Sequence, residues 1–151
     1  MRVSAKADYA VRAALQLAAA GEGPVKGESI ADAQGIPLRF LENILAELRH
    51  AGLVQSQRGA DGGYWLARKP NEVKIADVIR AVDGPLASVR SERPEELDYA
   101  GVAEPLRDVW VALRANIRDV LEVVTLADVV DGQLPASVAK LTKGSGVWDP
   151  H

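Results

Sequence analysis

The stretch from Lys26 to Ala67, KGESIADAQGIPLRFLENILAELRHAGLVQSQRGADGGYWLA, decides the fold. Leu41, Ile44, Leu45 and Leu48 recur at i, i+3, i+4 and i+7, the apolar stripe of a helix. Pro37 stands at the first turn of that helix, where its missing N–H is no loss, and Gly52 stops it. Upstream, Ser29 to Gln34 continue a shorter helix, Gly35 supplies a left-handed turn, and Ile36 plugs the corner. Downstream, Leu53 to Gln57 and Gly63 to Ala67 read as short strands, with Asp61-Gly62 a hairpin-turn signal. The order helix, turn, helix, strand, glycine-rich hairpin, strand is that of a winged helix-turn-helix. Such a unit holds one helix over the major groove of DNA and an arm over the backbone or minor groove.

Several side chains then have a chemistry. Arg39 lies in the leading turn of the third helix, where a guanidinium can donate twice to a guanine edge. Asn43, one turn further along, is suited to adenine, and Leu38 and Glu42 share the exposed surface. Arg58 at the wing base is suited to a narrow minor groove. Gly59, Gly62 and Gly63 let the wing backbone lie close to another surface, and Tyr64 follows them. Arg2 and Lys6 are candidate phosphate contacts. The bland reading of each charge is a solvated surface residue, with Arg58 paired to Asp61.

Composition narrows the classes. The chain has 151 residues and 48% apolar residues, enough for one domain or one domain plus a dimerisation element. No apolar run is long enough for a membrane span, and Met1 to Lys6 lack the apolar core of a signal peptide. With no cysteine there is no disulfide, thiol chemistry or thiolate metal site, which suits a cytoplasmic protein. His50 and His151 are too far apart to suggest a metal site, so no cofactor is expected. No nucleotide loop, nucleophile elbow or catalytic triad order appears, so an enzyme is not expected. Net charge is −3, but residues 1–80 hold 11 Lys+Arg against 9 Asp+Glu, while residues 81–151 hold 7 against 12. The small basic excess falls where the reader lies.

Outside the reader, Ser4 is a candidate N-cap for a helix from Ala5 to Ala20, whose alanines permit close packing. Ile75, Val78, Ile79 and Val82 mark another amphipathic helix. The polar stretch 86–101 reads as a loop. Val102 to Val124 is the longest periodic segment, with an apolar stripe of Leu106, Val109, Trp110, Leu113, Ile117, Val120, Leu121 and Val124. That stripe is wider than a small winged helix would cover. Thr125 to Asp128 start a short final helix, and the Gly/Ser/Lys-rich tail after Leu134-Pro135 is expected to be loose.

Taken together, these residues resemble the Rrf-type family of bacterial winged-helix regulators, over about residues 1–131. The likeness rests on Met1-Arg2-Val3-Ser4 with Tyr9-Ala10-Val11, on Gly35-Ile36 before Phe40-Leu41-Glu42, and on Gly52-Leu53-Val54. Its most specific piece is the wing, Arg58-Gly59 with Gly62-Gly63-Tyr64; Ala81-Val82-Asp83-Gly84 and Thr125-Leu126-Ala127-Asp128 extend it. The resemblance implies a homodimer joined through the long C-terminal helix and a near-palindromic operator. It implies DNA contact by the third helix and by the wing arginine, and a base-choice role at the position of Glu42. Cluster-binding relatives carry three cysteines in the loop after the fourth helix; here that loop has none, so iron–sulphur sensing is not carried over.

The expectation is a mainly α protein with a small β-wing. Its parts are a DNA-binding domain at 1–84, a loop at 85–101, dimerisation helices at 102–134 and a flexible tail at 135–151. Leu106, Val109, Trp110, Leu113, Ile117, Val120 and Val124 form the expected dimer seam. The function expected is a cytoplasmic transcriptional regulator, read as a repressor, whose partners are double-stranded DNA, a second copy and an unnamed small-molecule or protein effector. The competing reading is a winged-helix interaction module that does not bind DNA, favoured by the acidic balance and by Asp61.

Overall fold

The computed structural model describes residues 1–151. It is mainly helical with one two-stranded antiparallel sheet. The helices are α1 (Ala5–Ala20), α2 (Gly27–Gln34), α3 (Leu38–His50), α4 (Ile75–Asp83), α5 (Leu106–Leu121), α6 (Leu126–Val130) and α7 (Ala136–Ala139). Strands β1 (Val54–Gln57) and β2 (Gly63–Leu66) lie between α3 and α4.

Local signals set most boundaries. Ser4 Oγ accepts from the Ala7 N–H at 2.9 Å and caps α1. Gly35 ends α2 at φ 62, and Ile36 behind it is buried. After α3, the Leu53 N–H donates to Leu48 O and the Gly52 N–H to Arg49 O, with Gly52 at φ 78. That pair of bonds is a Schellman stop, and it aims the chain straight into β1.

The core forms around α1, which packs against α3, α4 and α6. Ala7, Ala10, Ala13, Ala14 and Ala18 line its buried face, so neighbouring helices approach closely. Leu41, Ile44, Leu45 and Leu48 are all fully buried against it. Truncating any one of them to alanine should cost about 2–5 kcal/mol. No polar or charged residue is buried.

The structure departs from the sequence expectation in four places. The hairpin turn is centred one residue before the Asp61-Gly62 signal. Gln57 pairs with Gly63, and the Gly62 N–H donates to Gly59 O at 3.1 Å, so Ala60 and Asp61 are the central residues. Secondly, α5 is shorter than the periodic segment: Val102 lies in a separate 3₁₀ turn, fully exposed, and Val124 lies beyond the helix. Val124 is buried in its own chain, with the Ile75 N–H donating to its carbonyl at 3.0 Å, so it is not part of an exposed seam.

Thirdly, α6 belongs with the reader rather than with α5. The Leu126 N–H donates to Val73 O at 2.9 Å, and the fully buried Leu126 joins the core. Thr125 and Asp128 cap one another there, Thr125 Oγ1 accepting from the Asp128 N–H and Asp128 Oδ2 from the Thr125 N–H. Fourthly, the tail is folded. It contains α7 and a 3₁₀ turn, Lys140–Lys143, buries Val138, and has the Trp148 indole donating to Thr142 O at 2.7 Å.

Candidate nucleic-acid interface

The apolar stripe of α3 is spent on the core, so its other face is turned outward. Leu38, Arg39, Phe40, Glu42, Asn43 and Ala46 are exposed. Arg39, Glu42 and Asn43 make no side-chain hydrogen bond or ion pair within the chain, which leaves their donors and acceptors free. Arg49 in the last turn donates to Ser56 Oγ at 3.1 Å and fastens the far end of α3 to β1.

The wing is joined to α2 as well as to α3. Val25 and Tyr64 exchange two backbone hydrogen bonds of 2.8 Å, extending the sheet by a bridge. The Tyr64 ring and the Leu38 side chain both lie against Gly27, where an added Cβ would stand 3.7 and 3.8 Å from them. The start of α2, the leading turn of α3 and the root of the wing therefore meet at one place. Lys26 completes the joint: its Nζ donates to Ala60 O at 2.6 Å and to Gly59 O at 3.1 Å.

The wing glycines serve a different purpose from the one expected of them. A Cβ on Gly62 would stand 2.0 Å from Gln57 O, and one on Gly63 would stand 2.6 Å from Val25 O. Both glycines are buried, and what they admit closely is their own chain. Gly59, at φ 107 with open space around it, is the exposed one of the three. Arg58 is exposed and makes no ion pair with Asp61 or any other residue. Asp61 pairs with neither Arg58 nor Arg68.

The two N-terminal cations stand apart from that joint. Lys6 pairs with Glu47 at 2.8 Å, beside the later turns of α3. Ser4 donates to Asp83 at the end of α4, and Arg2 is exposed and makes no ion pair. Lys26 and Val25 were not among the expected site residues. No local pattern marks them, because their partners lie more than 30 residues along the chain.

The family described as Rrf2, iron-dependent transcriptional regulator, matches residues 3–132. The chain belongs to the Rrf2 family of transcriptional regulators. It is 57% identical over 142 residues to an HTH-type regulator, named putative, of Mycobacterium tuberculosis, covering 93% of this chain and 88% of that one. It is 35% identical over 140 residues to the HTH-type regulator CymR of Bacillus subtilis, covering 90% and 96%. The solved structure of that CymR, the global cysteine regulator of B. subtilis, superposes with a TM-score of 0.74 at 33% identity, covering 88% and 98%. T. potens IscR superposes with a TM-score of 0.71 at 41% identity, covering 87% and 88%. The protein is thus a winged-helix DNA-binding regulator and not an enzyme, and the interaction-module reading is not favoured.

The family description implies iron, and the donor set here does not fit it. The chain has no cysteine, and no group of three His, Asp or Glu side chains converges on one point. In the loop after α4, Glu95 is already engaged by Arg114. No step of the regulation is therefore assigned to a metal.

Proposed function

We propose that the protein binds a near-palindromic operator as a homodimer, with α3 in the major groove and the wing on the flanking backbone or minor groove, and that it represses transcription. The observation that carries this is the joint at Gly27, which holds the leading turn of α3 and the root of the wing together while Arg39, Asn43 and Arg58 stay unpaired. In this reading Arg39, Glu42 and Asn43 address bases, and Arg58 and Gly59 approach the wing's groove. Gly62, Gly63 and Tyr64 set the wing's position. Arg2 contributes charge at the flank, and Lys6 does so only by leaving Glu47.

The apolar face of α5 supports the dimer. This helix of 16 residues has no buried residue in its own chain, although Leu106, Val109, Trp110, Leu113, Ile117 and Val120 are apolar. Val109 is 54% exposed. Such a face is rarely left to water, and a two-fold partner buries it in both chains at once. The same axis sets two α3 helices about 34–36 Å apart, one turn of DNA. Gel shifts on full and half operators, with the mass of the free protein from sedimentation, test both parts. Equal affinity for half and full sites would overturn the dimeric reading.

A further inference from the structure

An open cleft of about 300 Å³ lies between the end of α4, the loop that follows it and α5. Arg80, Arg93, Arg114 and Arg118 line it, with Glu95 and the small apolar surface of Leu86 and Ala87. Arg114 pairs with Glu95, while Arg80 and Arg118 share Glu122. Arg93 makes no ion pair. Four guanidinium groups and one carboxylate line the cleft, with Glu122 as a second carboxylate partner, in a chain whose net charge is −3. Guanidinium groups converging on a cleft of this size match carboxylate or phosphate oxygens, which they bind in pairs of hydrogen bonds.

A second observation falls on the loop that contributes Ala87 to the cleft. Ala87, Arg90 and Ser91 adopt left-handed backbone, at φ 66, 54 and 67, although none is glycine. Such conformations are costly, and they gather at ligand sites where the surroundings hold them. Here Arg90 lies over the Tyr99 ring, 5.8 Å from its centroid, and the Tyr99 hydroxyl accepts from the Trp110 indole at 3.0 Å. The strained loop is thereby tied to α5.

We propose that this cleft binds a small molecule carrying two negative charges, a dicarboxylate or a phosphate ester, through Arg93, Arg118 and Arg80. Its charge replaces Glu122 as the partner of Arg80 and Arg118. Because Arg80 belongs to α4, which packs on α1 and α3, occupancy changes how the reader is held against α5. The regulatory meaning rests on the proposed operator binding; the binding site itself does not.

Titration calorimetry of the full-length protein, without DNA and at constant ionic strength, tests the site with succinate, citrate, inorganic phosphate and pyrophosphate as probes and chloride as control. One class of probe should bind once per chain with a Kd below about 1 mM. Saturation by the carboxylates alone, or by the phosphates alone, identifies the source of the charge. Arg93→Ala and Arg118→Ala should each weaken binding about tenfold. Arg93 makes no direct ion pair, so its variant should melt close to the unmodified protein. Absence of binding by all four probes, or binding that neither substitution alters, would overturn the proposal. Failure of the operator gel shift would leave these results standing and would instead remove the DNA-reading assignment.

Discussion

The Lys26 ammonium donates to the Ala60 carbonyl at 2.6 Å, joining the start of α2 to the tip of the wing. The bond closes a loop of more than 30 residues. A hairpin of two four-residue strands is marginal by itself, so its pose depends on such anchors.

Lys26→Ala should therefore weaken operator binding by about 0.5–1.5 kcal/mol with little change in melting temperature. The two hydrogen bonds are exposed, so they orient the wing more than they stabilise the fold. A gel shift beside a thermal melt separates these effects. Full operator affinity in the variant would show that the wing needs no brace.

Gly63→Ala should destabilise the fold by about 1–3 kcal/mol, because the added methyl meets the Val25 carbonyl at 2.6 Å and backbone has to move. Gly59→Ala meets no neighbour and has only its φ of 107 to resist it, so it should cost less. Chemical denaturation of the two variants checks the order. A Gly63 variant as stable as the Gly59 one contradicts the close approach.

Arg58→Ala and Arg39→Ala should each cost about 1–3 kcal/mol of operator affinity. Loss at Arg39 should also relax the preference for one base pair, whereas loss at Arg58 should act through the groove. Selection of bound sequences from random DNA reads both. Unchanged affinity and unchanged sequence preference in both variants would remove these two contacts.

Val109→Glu with Leu113→Glu should give a monomer that keeps its helical circular dichroism, since neither residue is buried in its own chain. Four carboxylates would meet across the two-fold axis. Sedimentation reports the mass. A variant that stays dimeric would place the seam elsewhere.

Acid stability carries a further consequence. A hydrogen bond from Arg80, with support from Arg118, holds the Glu122 carboxyl below its ordinary value of 4.5. A depressed folded-state value stabilises the protein above the ordinary range, and this contribution is lost as pH falls through the depressed value. Glu95 is lowered too, first by a backbone hydrogen bond, so the isolating variant is Glu122→Gln. Relative to it, the unmodified protein should gain stability on going from below pH 4.5 to neutral. Parallel melting temperatures across that range would contradict the coupling.

The reader was legible in the sequence because its signals are local. The stripe of α3, the Ser4 cap, the stop at Gly52 and the left-handed Gly35 each depend on a few neighbouring residues, and each appears where expected. What needed the tertiary structure were choices between surfaces distant in sequence. Val124 continues the periodicity of α5, yet it is buried beside Ile75 because the chain turns back after Leu121 to pair with the entry to α4. The glycines of the wing signalled close approach without naming the surface, and that surface is the backbone of Gln57 and Val25. Periodicity and caps arise within a turn or two of chain, whereas the partner of an apolar or glycine surface is decided only when whole elements dock and compete for the same buried area.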